Sequence, residues 1–133
     1  MTEFLVALGS AAIIMGILDY VWLGFIAKKL YYDEMGDILL KKPNMTAAIV
    51  FYMIYVVGSV VLIVLPALKE NSFQMALGYG ALLGFVAYAT YDLTNLATLK
   101  NFSKKIVVID LVWGTFITAI VCVGSFSAAS LLG

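Results

Sequence analysis

Four long apolar runs dominate this sequence and decide the solvent in which the chain can fold. They cover residues 2–26, 45–68, 73–96 and 106–131, and short polar segments separate them. Each run has at least the ~20 residues that a helix needs to cross roughly 30 Å of hydrocarbon. Because the backbone must satisfy its own hydrogen bonds in lipid, we expect each run to be an α-helix.

The composition supports a membrane environment. Hydrophobic residues make up 64% of the 133 residues and charged residues only 12%, whereas soluble domains have about 25% charged residues. Such a chain has too little polar surface to cover a globule in water, and its connections leave no room for a soluble domain. We therefore predict an all-α integral membrane protein, a single domain over residues 1–133 that forms an up-down four-helix transmembrane bundle.

Residue types that are missing or rare exclude several functions. There is no histidine and one cysteine, Cys122, which excludes zinc fingers, histidine-ligated haem and an intramolecular disulfide. The formal net charge is zero, so nothing indicates a nucleic-acid partner. Glu3 stands where a signal peptide would be basic, so we expect the first run to be retained as a span. We assign no metal site and leave the cofactor open.

The lysines predict the orientation of the bundle. Seven of the eight lysines fall in the connections 27–44 and 97–105, and Lys69 alone lies on the opposite side. Short lysine-rich loops stay in the cytoplasm. Both connections are therefore predicted to be cytoplasmic and both termini to lie outside, in a multi-pass protein of the inner (plasma) membrane. The first connection has room for a short surface helix near residues 34–40, although Gly36 disfavours it.

Three apolar runs each contain one aspartate. Asp19 lies seven residues before the end of the first run, Asp110 lies five residues into the fourth, and Asp92 lies near the end of the third. At about 1.5 Å per residue, Asp19 and Asp110 are roughly 7–11 Å inside the predicted cytoplasmic boundary, and all three are at similar depth. An ionisable residue in a span costs about 2.5–3.5 kcal/mol on insertion, so three at one depth indicate a shared purpose.

Each aspartate has a large or polar residue three positions later, on the same side of its predicted helix. Carboxylate and amide oxygens suit a hard cation or an ammonium group better than zinc or copper. We therefore predict a polar pocket that opens toward the cytoplasm and has tryptophan walls. The predicted ligand-binding residues are Asp19, Trp22, Tyr91, Asp92, Asn95, Asp110 and Trp113.

A purely structural interpretation remains open for these residues. Aspartates near helix ends can accept hydrogen bonds from hydroxyl or backbone groups, and Asp110 lies in the first turns of its helix, where the dipole favours a negative charge. The two tryptophans can serve as interfacial anchors. Small residues recur at four-residue steps, as in Gly80, Gly84, Tyr88 and Asp92. Such a stripe predicts close helix packing and a surface for a homodimer.

Several stretches of the sequence resemble the bacterial membrane family DUF2177. They are Asp19-x-x-Trp22-Leu23-Gly24, Phe51-Tyr52-x-x-Tyr55-x-x-Gly58, Gly80-Ala-Leu-Leu-Gly84, Tyr88-Ala-Thr-Tyr91-Asp92-Leu-Thr-Asn95-Leu-Ala-Thr98 and Asp110-Leu-x-Trp113-Gly114-Thr115. The resemblance covers nearly the whole chain and implies a small four-span inner-membrane protein of unknown activity. It also makes a role in lipid or fatty-acid modification worth considering.

Three classes of function follow from these observations. The first is binding or transport of a small cation or an amine-containing molecule at the acidic pocket. The second is an enzyme, or an accessory protein, that modifies membrane lipid or fatty acids with the carboxylates as acid, base or metal ligands. The third is a membrane scaffold that packs beside another protein through its glycine faces. The predicted partners are membrane lipid, a small cation or small molecule, and a second copy of the chain through the glycine-rich helix faces.

Overall fold

The computed structural model describes residues 1–132, of which nearly all are helical, and these residues form no strand. The helices are α1 (Thr2–Val21), α2 (Lys28–Met35), α3 (Met45–Ser59), α4 (Leu65–Lys69), α5 (Phe73–Thr98) and α6 (Lys104–Leu132). A π-helical turn at Trp22–Ile26 extends α1, and another at Val60–Val64 joins α3 to α4. A 3-10 turn at Gly36–Ile38 follows α2.

The predicted all-α membrane fold is confirmed. Four continuous helical stretches are long and apolar enough to cross a membrane: Thr2–Ile26, Met45–Lys69, Phe73–Thr98 and Lys104–Leu132. Their ends lie within two residues of the predicted ones. The inside–outside orientation stays a prediction. We call the end of the bundle that carries α2 and residues 99–103 the α2 end.

Polar residues in the connections fix where three of the helices begin. The side chains of Asn44, Ser72 and Ser103 each accept a hydrogen bond from a backbone N–H three residues later, at 3.1–3.2 Å. This N-cap contact satisfies a donor that the first helical turn would leave unpaired. Asn71 and Asn101 have φ angles of 48° and 59°, a left-handed conformation that asparagine tolerates better than most residues. These two turns reverse the chain directly, so the third span runs antiparallel to both the second and the fourth.

Helix α6 is the centre of the bundle. Half of its most apolar window is buried, against 17–28% for the other three spans. It packs most extensively against α5 and then α1, and the Ser125 hydroxyl donates to the Ala7 carbonyl of α1 at 2.8 Å. The outward faces of the other helices carry large apolar side chains such as Ile13, Ile54 and Leu82, which is the distribution expected when lipid is the solvent.

Glycines allow α5 and α6 to approach closely, as the stripe on α5 predicts. A β-carbon on Gly80 would lie 3.0 Å from the Cys122 Cβ, and one on Gly84 would lie 2.7 Å from the Thr118 Cβ and overlap a backbone carbonyl. The prediction that these two glycines face another helix is confirmed. Because this face is occupied inside the bundle, a homodimer through glycines would have to use exposed positions such as Gly78.

The short surface helix predicted near residues 34–40 forms earlier in the chain, as α2. It begins at Lys28, directly after the π-helical turn, and ends at Met35 before Gly36. The earlier position brings Tyr31 onto the helix. None of its residues is fully buried, so α2 is a surface helix and has no apolar core of its own.

Candidate functional site

Two of the three aspartates meet at the interface between α5 and α6. Asp92 is completely buried and Asp110 is 8% exposed, and their carboxyl groups lie within hydrogen-bonding reach of each other. Neither oxygen of Asp92 has a hydrogen-bond partner among residues 1–132. A buried carboxylate normally accepts several hydrogen bonds or pairs with a cation. The Asp92 carboxyl group therefore lacks a partner, and a positive charge between the two carboxyl groups would supply one.

The antiparallel register of α5 and α6 explains this pairing. Asp92 and Asp110 are both nine residues from Asn101, which lies in the connection between the helices. Deeper in the bundle, Tyr88 packs on Gly114, and Gly84 on Gly114 and Thr118. Residues at equal distances from a tight turn face each other in antiparallel helices, so the glycines that bring the helices together also force the two carboxyl groups into proximity.

Asp19 lies near this pair without joining it. Its half-buried side chain on α1 lies within reach of the Trp113 indole N–H of α6. Among the described residues, no three acidic or cysteine side chains are close enough to hold a metal ion. Asp92 and Asp110 thus form a pair, and Asp19 is a neighbour that contacts Trp113 instead.

Tyr31 on α2 reaches into the bundle and hydrogen-bonds to the pair. Its hydroxyl donates to Asp110 Oδ1 and accepts from the Trp22 indole N–H at 3.2 Å. Burial, and then the hydrogen bond to Asp110, raises the pKa of Tyr31 above its ordinary range. Tyr31 therefore stays protonated and keeps its role as a donor. In the sequence, a tyrosine beside lysines indicates the interfacial belt of aromatic residues, and nothing there points to this contact.

The two tryptophans stack on each other. The rings of Trp22 and Trp113 are 4.3 Å apart with an interplanar angle of 7°, and they are the only tryptophans in the chain. Each ring covers one face of the other, so a ligand cannot lie between them in this state. Their indole N–H groups point to different acceptors, since Trp22 contacts Tyr31 and Trp113 approaches Asp19. A series of contacts therefore runs from Asp19 through the two stacked indoles to Tyr31, whose hydroxyl donates to Asp110.

The remaining predicted residues, Tyr91 and Asn95, contact each other and not the carboxyl pair. Tyr91 is 56% exposed, and its hydroxyl lies within reach of the Asn95 side chain. Asn95 makes no hydrogen bond to Asp92, whose oxygens are unpartnered. The Asn95 amide therefore does not supply the missing partner of Asp92.

Three further tyrosines lie close enough to Asp19 to interact with its charge, namely Tyr52, Tyr55 and Tyr88. Two of their hydroxyls have other partners. Tyr52 donates to the Ala12 carbonyl, and Tyr55 shares a hydrogen bond with Thr118. The sequence motifs include these three tyrosines, but they were not predicted to belong to the site, although a tyrosine inside an apolar span is a signal that its hydroxyl has a partner within the bundle.

Comparison with known families decides the relationship of this chain. Residues 4–127 match the family described as "Predicted membrane protein (DUF2177)". The chain belongs to the DUF2177 family. The matched range contains all seven predicted site residues, and the resemblance inferred from the sequence is confirmed. Comparison with curated proteins gave no match, and neither did comparison with solved structures.

The acidic pair of this DUF2177 protein is closed in the structure. Two surface depressions lie elsewhere on the bundle, and neither includes Asp92 or Asp110. One, of about 360 Å³, lies at the α2 end beside Lys100 and residues 32–38. The other, of about 440 Å³, is an apolar groove between α5 and α6. Access to the carboxyl pair therefore requires a movement of the groups that cover it.

Proposed function

We propose that this DUF2177 protein binds a small monovalent cation, the proton included, between Asp92 and Asp110. The observation that carries the proposal is the Asp92 carboxyl group, which is fully buried, has no hydrogen-bond donor and faces a second carboxyl group. Two such groups repel when both are ionised. A cation held between them removes that repulsion and supplies the missing partner for Asp92.

The surroundings favour a small occupant. The two carboxyl groups lie within hydrogen-bonding reach of each other, so they can share one proton directly. A lithium, sodium or ammonium ion needs only a modest separation of the groups, and oxygen ligands suit such hard cations. The rings of Trp22 and Trp113 stack directly on each other, so a bulky amine cannot bind between them in this state.

A purely structural role fits the pair less well. A structural aspartate inside a membrane has a donor or an opposite charge beside it, because an isolated charge in lipid is costly. Asp110 meets this condition through Tyr31, and Asp19 through Trp113. Asp92 does not meet it, which is the reason to assign it a ligand.

The lysine distribution indicates how a cation would arrive. The site is near the α2 end, and the connections at this end carry seven of the eight lysines. These connections are predicted to be cytoplasmic. The cation would therefore exchange with the cytoplasm in a protein of the inner membrane, and transport would need a second path toward the opposite side.

Intrinsic fluorescence tests the proposal without a label, because both tryptophans of the chain lie at the site. The purified protein in lipid nanodiscs is titrated with acid, with sodium chloride and with methylammonium chloride, with choline chloride as the ionic-strength control. We expect a saturable change in emission with at least one of the first three. Asp92→Asn and Asp110→Asn should abolish it, whereas Glu70→Gln, in the exposed turn at the other end, should retain it.

Two results would contradict cation binding at the pair. One is an emission that no titrant changes beyond the choline control. The other is an identical titration in the wild type and in Asp92→Asn, which would place the response at another group.

The apolar groove between α5 and α6 favours a second candidate function, the binding of a lipid acyl chain for lipid or fatty-acid modification. The groove holds about 440 Å³ and is lined by Ala81, Phe85, Leu111, Val112, Thr115, Phe116 and Ala119. The one hydroxyl in this lining, that of Thr115, donates to the Leu111 carbonyl of its own helix at 2.7 Å, so the groove presents an apolar surface.

Native mass spectrometry separates this candidate from ordinary membrane solvation. The wild-type protein should retain one lipid or fatty acid that survives delipidation in detergent. Ala81→Phe should lose it, since the added ring fills the groove, whereas Leu82→Phe on the exposed face of the same helix should not. Equal retention by both variants would exclude the groove as a specific site.

A further inference from the structure

Helix α2 lies over the side of the carboxyl pair that faces the α2 end. Two hydrogen bonds join α2 to the beginning of α6, one to Asp110 and one to the N-cap residue Ser103. The Tyr31 hydroxyl donates to Asp110 Oδ1, and Glu34 Oε1 accepts from the Ser103 hydroxyl at 2.7 Å. Ser103 is also the N-cap of α6, since its oxygen accepts from the Ile106 N–H at 3.1 Å. Both contacts thus join α2 to the region of α6 that carries Asp110.

Little else holds α2 in this place. It has eight residues, none of them fully buried, and isolated helices of this length are marginal in water. Segments with few buried apolar contacts open at low free-energy cost. Leu30, Tyr31 and Met35 of α2 are only partly buried, and the two hydrogen bonds that join α2 to α6 are contacts that water can replace.

The segments on both sides of α2 can absorb a change in its direction. A π-helical turn at Trp22–Ile26 precedes it, and the 3-10 turn Gly36–Ile38 follows it. Single π-helical turns within helices are frequent at functional sites, and 3-10 turns are common connectors at helix ends. The Trp22 indole contacts the Tyr31 hydroxyl, so a movement of α2 also changes the environment of the tryptophan stack.

We propose that α2 is a lid on the carboxyl pair and that Tyr31 is the latch that holds it shut. In the closed state the Tyr31 hydroxyl occupies an oxygen of Asp110 that an entering cation would use. When α2 moves away, Tyr31 leaves this oxygen and water reaches Asp110. Tyr31 is thus a positioning residue that controls access. The nature of the occupant rests on the proposed function, but the lid itself is tested independently of it.

Chemical modification of Asp110 measures the opening of the lid. A water-soluble carbodiimide with glycine ethyl ester converts accessible carboxyl groups to amides, and peptide mass spectrometry gives the rate at each residue. The reaction requires no bound cation. Asp33 is exposed on α2 itself and serves as the internal control in every sample.

A reversible bridge provides the main comparison. Glu34→Cys and Ser103→Cys are combined on a Cys122→Ser background and joined by a short bis-methanethiosulfonate reagent, which a reductant removes. We expect the bridge to slow modification of Asp110 by about tenfold or more, with recovery after reduction and no change at Asp33. A tenfold change corresponds to about 1.4 kcal/mol of opening free energy.

Tyr31→Phe provides the second comparison. The ring remains and only the hydroxyl is removed, so modification of Asp110 should become about tenfold faster, as expected when a hydrogen bond to a charged group is lost. Equal rates in the bridged and the reduced protein would overturn the lid, and an unchanged rate in Tyr31→Phe would overturn the latch. A variant that fails to fold leaves the decision to the bridge. A failed cation titration beside a positive bridge result would refute the ligand alone.

Discussion

The close approach of α5 and α6 makes Gly84→Ala the most informative single substitution. The added methyl group would lie 2.7 Å from both the Cβ and the Oγ1 of Thr118 and would overlap the Gly114 carbonyl oxygen. Real β-carbons essentially never come within 3.0 Å of another heavy atom, and a backbone carbonyl cannot rotate out of the way. The helices would have to separate, and the two carboxyl groups nine residues from the turn would separate with them.

The expected magnitude follows from two opposing contributions. Overpacking a well-packed interface costs about 1–3 kcal/mol, and alanine recovers up to about 1 kcal/mol over glycine in a helix. Because one obstacle is backbone, we expect a net loss of about 2 kcal/mol in the free energy of unfolding. Gly78→Ala on the same helix is the matched control. No atom lies within 4 Å of its added carbon, so it should gain about 0.5–1 kcal/mol.

Cys122 provides the assay. It is the only cysteine and is fully buried at the interface of α5 and α6, so a fluorogenic thiol reagent reports the fraction of unfolded protein during a denaturant or thermal titration in detergent. A Gly84→Ala variant that is as stable as Gly78→Ala would contradict this expectation. That result would mean that α5 and α6 lie further apart than the structure places them.

Three further predictions follow from other parts of the structure. At a pH and salt concentration at which the pair holds no proton or cation, Asp92→Asn should raise the free energy of unfolding by about 1 kcal/mol, because an amide can donate to Asp110 where an unoccupied carboxylate cannot; a decrease in the same thiol assay would contradict this. Because burial raises the pKa of Tyr31, the unfolded chain loses this proton first as pH rises through about 10. The wild type should therefore lose stability above that pH more steeply than Tyr31→Phe, by up to about 1.4 kcal/mol per pH unit, and parallel curves in alkaline unfolding would exclude this. On a cysteine-free background, Ser72→Cys should react with an impermeant thiol reagent from outside intact cells and Ser103→Cys should not, and the reverse pattern would invert the predicted orientation.

Much of the fold was predictable because lipid restricts the choices. Long apolar runs must be helical in a bilayer, and three capping side chains mark where helices begin. The pairing of Asp92 with Asp110 was also within reach of the sequence, since both lie nine residues from Asn101 in a tight connection. Counting outward from the turn is enough to separate this pair from Asp19.

The predicted positions of Asn95 and Tyr91 were less accurate for a geometric reason. Successive residues in an α-helix are about 100° apart, so Asn95 is rotated by about 60° from Asp92 and Tyr91 by about 100°. The face toward α6 is set by the four-residue steps of Gly84, Tyr88 and Asp92. A residue three positions away is therefore a flank neighbour, which explains why Asn95 and Tyr91 contact each other instead of the carboxyl pair.

Tyr31 could not be found from spacing at all. Its contact with Asp110 spans 79 positions in the chain. The π-helical turn at Trp22–Ile26 lies directly before α2, which carries Tyr31. A π-helical turn differs from the α-helix by bonding residues five apart in place of four, and the pattern of apolar runs used to locate the helices does not register that change. A tyrosine beside lysines therefore indicated an interfacial anchor and gave no indication of a latch.

The central position of α6 has a consequence for how the protein is made. α6 follows the other three spans in the chain, yet the largest interfaces of the bundle are those it forms with α5 and α1. Three helices therefore leave the ribosome before their common partner exists, and Asp92 enters the bilayer before Asp110 is synthesised. During that interval the assembling chain presents an unpaired carboxyl group to lipid, which is the kind of feature that insertion chaperones shield and membrane proteases recognise. The lifetime of the newly synthesised protein should depend on how quickly α6 is inserted into the membrane.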